Sequence, residues 1–111
     1  MNNIGLGIDP ISLFEKDCIE ETQKQSEDIM LKELSRKWLN HSWQNKYTYH
    51  FNWLGRPIIQ MPQDILALQE IIWNVKPDLI IETGIAHGGS LCLSASLLAL
   101  LEIDDLKKNP K

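Results

Sequence analysis

The sequence predicts an α/β fold of an incomplete kind, with helices leading into the first βα unit of a parallel sheet covered on both faces. Three observations predict it. Leu79-Ile80-Ile81 is a short apolar run without alternation, the pattern of a strand buried on both sides. Glu82 closes that run, and Gly84, Gly88 and Gly89 follow before an apolar helical stretch, so strand, acid, glycine loop and helix come in order. Only 21 residues follow Ser90 in a chain of 111, so the expected content stops near the end of that first unit. The expected organisation is an N-terminal helical segment over 1–45 and the start of the sheet domain over 46–111.

Taken in order, residues 1–11 read as a loose leader. Ser12 and Glu15 have capping-box spacing, and a weakly amphipathic helix over Ser12–Gln25 follows, its apolar positions (Leu13, Phe14, Cys18, Ile19) thinning early. Ser26-Glu27-Asp28 offers a second helix start. Ile29, Met30, Leu34, Trp38 and Leu39 then recur at helical spacing to about Asn45. From Tyr47 to Trp53 the aromatic and β-branched content favours extended chain, and Gly55-Arg56-Pro57 is expected to break any regular element. Pro62 suits the first turn of another helix, whose stripe of Ile65, Leu66, Leu68, Ile71, Ile72 and Val75 runs to about Asn74. Lys76-Pro77 ends it, because the residue before a proline avoids the α region. After Gly89, Leu91, Leu93, Ala95, Leu97, Leu98, Ala99 and Leu101 supply a face to pack on a sheet. Asp104–Lys111 is polar and ends with Asn109-Pro110-Lys111, which reads as the beginning of a loop.

Composition removes several classes. A net charge of −4 argues against a general nucleic-acid binder, which needs a basic face. The most apolar run, Leu91–Ile103, is interrupted by Cys92, Ser94, Ser96 and Glu102 and falls short of the roughly 20 apolar residues of a membrane span. The start has no signal-peptide pattern, so a cytoplasmic protein is expected. Cys18 and Cys92 are read as free thiols of a reducing compartment, and neither has a partner at metal-ligand spacing.

The glycine loop carries the chemistry. Gly84 can take a positive φ at no steric cost. Gly88 and Gly89 stand at a helix N-terminus, where backbone N–H groups and the helix dipole favour an anionic group, and Ser90 adds a hydroxyl. Glu82, at the end of the strand, can accept from a ligand hydroxyl or ammonium, or from a loop N–H. The spacing G-x-x-x-G-G departs from the dinucleotide pattern, whose middle glycine would fall at Ala86, and no Walker sequence follows. Glu-x-Gly-x-x-x-Gly-x-Ser after an apolar strand is instead the loop of many S-adenosylmethionine-dependent methyltransferases.

A more specific likeness spans roughly residues 35–103. The block Trp53-Leu54-Gly55-Arg56-Pro57 leading to Gln60-Met61-Pro62-Gln63-Asp64, and the block Glu82-Thr83-Gly84-Ile85-Ala86-His87-Gly88-Gly89-Ser90, resemble the cephalosporin hydroxylase / rhamnosyl O-methyltransferase family. The resemblance implies a truncated Rossmann-like methyltransferase fold that binds S-adenosylmethionine, with a divalent metal, usually Mg2+, near a hydroxylated small-molecule or sugar acceptor. It implies cofactor contacts by Glu82, Gly84, Ala86, Gly88, Gly89 and Ser90, the serine meeting the methionine carboxylate. Gln60 and Met61 match the segment that closes over the cofactor. The family's metal-binding and proton-accepting carboxylates match no residue of this chain, so no catalytic base and no metal ligand is assigned, and the fragment is expected to be inactive alone.

Single residues are read plainly. His87 is expected to shape the loop more than to catalyse, and His41 and His50 stand without a second ligand. Arg56 ties down its loop or meets an acidic substrate. Asp64 suits a helix start, and Trp53 and Trp73 are packing residues. Two rival functions are a nucleotide-binding oxidoreductase or hydroxylase, and a non-catalytic interaction protein or decayed gene product. A homo-oligomer is compatible with either.

Overall fold

The computed structural model describes residues 9–109, so most of the leader expected over 1–11 lies outside the described residues. The chain divides into two compact units, one up to His41 and one from Ser42 onward.

The first unit is helical. Helix α1 (Pro10–Glu27) starts one turn earlier than its expected Ser12–Glu15 box. Asp9 takes the cap instead, accepting from the Ile11 and Ser12 N–H groups at 3.4 and 3.3 Å and from Ser12 Oγ at 3.1 Å. Pro10 then fills the first helical position, where no N–H is needed. Asp28 serves two helices at once. Its N–H donates to Gln25 O at 3.2 Å, closing α1, and its Oδ1 accepts from Leu31 N–H at 2.9 Å, opening α2 (Ile29–Gln44). That cap is where the sequence places it. Neither helix contains a buried residue.

In the second unit, Lys46 adopts a left-handed φ of 54° and turns the chain into a short 3-10 segment, Tyr47–Tyr49. Strands β1 (Phe51–Trp53) and β2 (Arg56–Ile58) then pair antiparallel, with Phe51 opposite Ile58 and Trp53 opposite Arg56. Leu54 and Gly55 make the turn at φ 47° and 81°, the two positive values that a tight hairpin requires. The expected break at Gly55-Arg56-Pro57 is therefore a hairpin turn followed by a strand. Pro57 is tolerated because a two-stranded sheet consists only of edges.

Helix α3 (Pro62–Val75) follows the predicted boundaries within a residue and stops at Lys76, left-handed at φ 52°. Helix α4 (Gly89–Lys108) takes in the polar stretch from Asp104 and ends at Asn109, where a loop is expected to begin. Its last turn carries an ion pair: Lys108 Nζ stands 2.6 Å from Asp104 Oδ2, one helical turn back, and Lys76 Nζ stands 3.6 Å from the same oxygen.

Ile58, Ile72, Leu93 and Leu97 form the core, with Phe51, Trp53, Ile65, Leu68, Ile80 and Leu101 packed around it. The hairpin and α3 thus both sit on α4. Trp53 keeps its indole N–H satisfied by donating to Ser96 Oγ at 3.0 Å, while Ser96 Oγ donates to Leu93 O at 2.8 Å.

Residues 79–82 depart most from expectation. They run without strand pairing, and Leu79 and Ile81 are 71% and 82% exposed, with only Ile80 turned onto the core. A strand needs a neighbour to accept and supply its ladder hydrogen bonds, and the only sheet among the described residues is the β1–β2 hairpin. The architecture is therefore mixed helix with a small antiparallel sheet, compatible with part of an α/β domain. Among the described residues no helix is long and apolar enough to cross a membrane.

Candidate functional site

The loop from Glu82 to Ser90 is built from left-handed residues in alternation. Gly84, Ala86 and Gly88 have φ of 84°, 41° and 83°. The Gly88 N–H donates to Ile85 O at 2.7 Å, closing a turn, and the Gly88 carbonyl accepts the first bond of α4 from Cys92 N–H at 3.0 Å. At Gly84 and Gly88 a Cβ would meet nothing within 4 Å, so glycine serves the backbone conformation and leaves open space over the chain.

Gly89 differs. It is buried, and a Cβ there would stand 2.2 Å from the Pro57 carbonyl oxygen and 2.7 Å from Ile58 Cβ. Its lack of a side chain lets the first turn of α4 lie directly against β2. The hairpin therefore sets where the loop stands, a role the sequence reading did not give to Pro57 or Ile58. The W-L-G-R-P block preceding Ile58 was the available signal.

Two kinds of polar group meet at the end of the loop. The N–H groups of Gly89, Ser90 and Leu91 precede the first intrahelical donor, Cys92, and have no acceptor among the described residues. The Ser90 hydroxyl donates to Glu82 Oε1, bringing the acid at the end of the extended segment to the helix N-terminus. Glu82 to His87 are all exposed, while Gly88 and Ser90 are half-buried. The structure thus gathers Glu82, Gly84, Ala86, Gly88, Gly89 and Ser90 in one loop.

Gln60 and Met61 stand at the start of α3, and their bonds run elsewhere. The Gln60 N–H donates to Thr48 O at 3.2 Å, and the buried Met61 accepts from Asp64 and Ile65 N–H. Asp64 lies in the first turn of α3, where its charge suits the helix dipole. Both cysteines are free thiols.

A groove of about 730 Å3 runs between Lys76, Pro77 and Asp78 and the Ala95, Leu98 and Glu102 side of α4. None of its lining residues belongs to the glycine loop, so the volume marks a different place from the donor-rich backbone. Among the described residues no group of three or more His, Cys, Asp or Glu side chains could hold a metal ion.

A carboxylate, a hydroxyl and unpaired helix N–H groups beside bare glycine backbone can receive a ligand with both donor and acceptor groups. The family model described as Rhamnosyl O-methyltransferase/CmcI matches residues 45–109, which cover the hairpin, α3, the loop and α4. The match spans more than half of the chain, which therefore belongs to that family. No curated protein and no solved structure matches it.

Proposed function

We propose that residues 82–90 form the S-adenosylmethionine-binding loop of an O-methyltransferase of this family, acting on a hydroxylated small molecule or sugar. The observation that carries the reading is the family match across a loop whose backbone is held open at Gly84 and Gly88. The residues present fit such a group. Glu82 offers an acceptor to hydroxyl or ammonium donors, and the N–H groups at the start of α4 suit a carboxylate. Gly84 and Gly88 let the backbone approach closely on either side of Ala86, Gly89 seats the helix start against β2, and the family resemblance would add Gln60 and Met61 from the start of α3. When bound, S-adenosylmethionine supplies an electrophilic methyl group on a sulfonium.

Methyl transfer to oxygen also needs the acceptor hydroxyl held in line and relieved of its proton, by a base or by a metal such as Mg2+. No residue of this chain is assigned to either task. We therefore expect residues 1–111 alone to bind the cofactor product without catalysing turnover.

The test is a titration of the purified chain with S-adenosylhomocysteine and, separately, NADH, following backbone amide resonances. The expected result is that S-adenosylhomocysteine shifts Gly84, Ala86, Gly88 and Ser90 while NADH leaves them in place. An equal response to NADH would move the reading to an oxidoreductase. No response to either ligand would favour a non-catalytic role, in which the unpaired segment 79–82, with Leu79 and Ile81 exposed, pairs with another chain. Metal-dependent methyl transfer by residues 1–111 would overturn the expected inactivity.

A further inference from the structure

We infer that α1 and α2 form a dimerisation surface whose occupant is a second copy of this chain, with α1 of one copy lying on α2 of the other. Both helices precede the family match, which begins at residue 45, so the inference goes beyond the cofactor reading and does not depend on it. Helices of 18 and 16 residues stand here without one buried residue. Phe14 on α1 and Met30 on α2 are 67% and 64% exposed. Helices in proteins owe most of their stability to the packing of an apolar face, so these two need a surface to lie on. Neither supplies it to the other. Asp28 alone separates them, whereas an antiparallel helix pair needs a connection of about two to five residues, and α1 and α2 scarcely touch.

Charge selects the occupant. On α1 five carboxylates stand against two lysines, while on α2 Lys32, Arg36 and Lys37 stand against Glu33. Ile11, Phe14 and Cys18 share one face of α1 at spacings of three and four, with Glu15 and Glu21 along its edges. Met30 and Leu34 share a face of α2, with Lys37 at its edge one turn beyond Leu34. An acidic helix and a basic helix that cannot fold back on each other within one chain can meet between two. A twofold axis makes that contact twice, as an isologous interface requires. Pairing like helix with like would set acid against acid and base against base, which is costly.

Sedimentation velocity on the full chain tests this. Wild type should pass from monomer to dimer across the micromolar range. Reversing the acids of α1 (Glu15→Lys with Glu21→Lys) or the bases of α2 (Arg36→Glu with Lys37→Glu) should raise the dimer dissociation constant at least about tenfold, because each reversal sets like charges together at both contacts. Combining the two reversals in one chain should restore the wild-type dimer, as should mixing the two singly reversed chains. That recovery excludes misfolding as the cause of the loss. A wild type that stays monomeric would overturn the inference and leave the helices to a different partner. A dimer that ignores both reversals would place the contact elsewhere, for instance at the exposed segment 79–82, and overturn it equally. Loss in both reversed chains without recovery on combination would mean that α1 does not face α2, which sinks the proposed pairing.

Discussion

Glycine does different work at neighbouring positions of the loop, and substitution separates the two kinds. At Gly89 the constraint is space, because an added Cβ would lie 2.2 Å from a backbone oxygen of β2 that cannot swing aside as a long side chain would. Gly89→Ala should therefore push α4 off the hairpin and destabilise the second unit by about 1–3 kcal/mol. At Gly84 the surrounding space is open and the constraint is φ alone, at 84°, so Gly84→Ala should destabilise by about 1–2 kcal/mol through the left-handed backbone. Urea midpoints give the size of each effect, and tryptophan fluorescence gives its place. Only Gly89→Ala should disturb Trp53, whose indole bonds Ser96 on the same helix. A Gly89→Ala variant as stable as wild type would mean that the hairpin does not rest on the helix start. The sequence disclosed the loop because glycines at bends and a helix start obey local rules. It did not disclose which glycine touches Pro57 and Ile58, since that contact joins parts of the chain far apart in sequence.

Helix ends are the elements where local patterns compete most closely. Asp104-Asp105-Leu106-Lys107-Lys108 is polar, and α4 continues through it to Lys108 with Asp104 paired both along its own helix and with Lys76 beyond α3. The Asp104–Lys108 spacing was visible in the sequence, but the approach of Lys76 was not. The cap of α1 likewise lay within reach of a sequence reading, in Asp9-Pro10, although Ser12–Glu15 offered an equally regular pattern. The ion pair gives α4 a pH dependence with a definite sign. The hydrogen bond from Lys108 holds the Asp104 carboxyl below its ordinary 3.8, against desolvation and with help from the charges of Lys108 and Lys76. A depressed acid lends its support in full above the ordinary value and loses it as pH falls through the folded one. Lys108 is raised above 10.5, first by its hydrogen bond to Asp104, so its share is complete below 10.5 and disappears as pH rises through the folded value. Residues 104–108 should accordingly hold helical Cα shifts through the neutral range and fray below about pH 3.8. Asp104→Asn should be frayed throughout and show no such acid step. An acid step that survives in Asp104→Asn would place its origin elsewhere.

For the second unit as a body, the decisive feature is how little is buried. Ile58, Met61, Ile72, Leu93 and Leu97 are its buried hydrophobic residues, and Leu93 is the fully buried large side chain, at 0% exposed. The apolar run Leu79-Ile80-Ile81 promised a strand at the centre of a sheet, yet burial of a strand depends on what lies beside it, which the run itself does not specify. Ile80 alone reaches the core, while Leu79 and Ile81 face outward. Two substitutions of the same chemical kind should then behave very differently. Leu93→Ala removes the side chain at the contact of α4 with the hairpin and α3, where a large-to-small change costs about 2–5 kcal/mol. Domains of this size have about 5 kcal/mol or somewhat more in total, so the change should remove a large share of the stability and lower the urea midpoint steeply. Ile81→Ala removes as many carbon atoms from a side chain that is 82% exposed, and surface changes of that type stay within about 0.5 kcal/mol. Circular dichroism with urea titration compares the two directly. If Ile81→Ala destabilises as much as Leu93→Ala, residues 79–82 are covered in solution, and the chain pairs there with a neighbour that this fold does not itself supply.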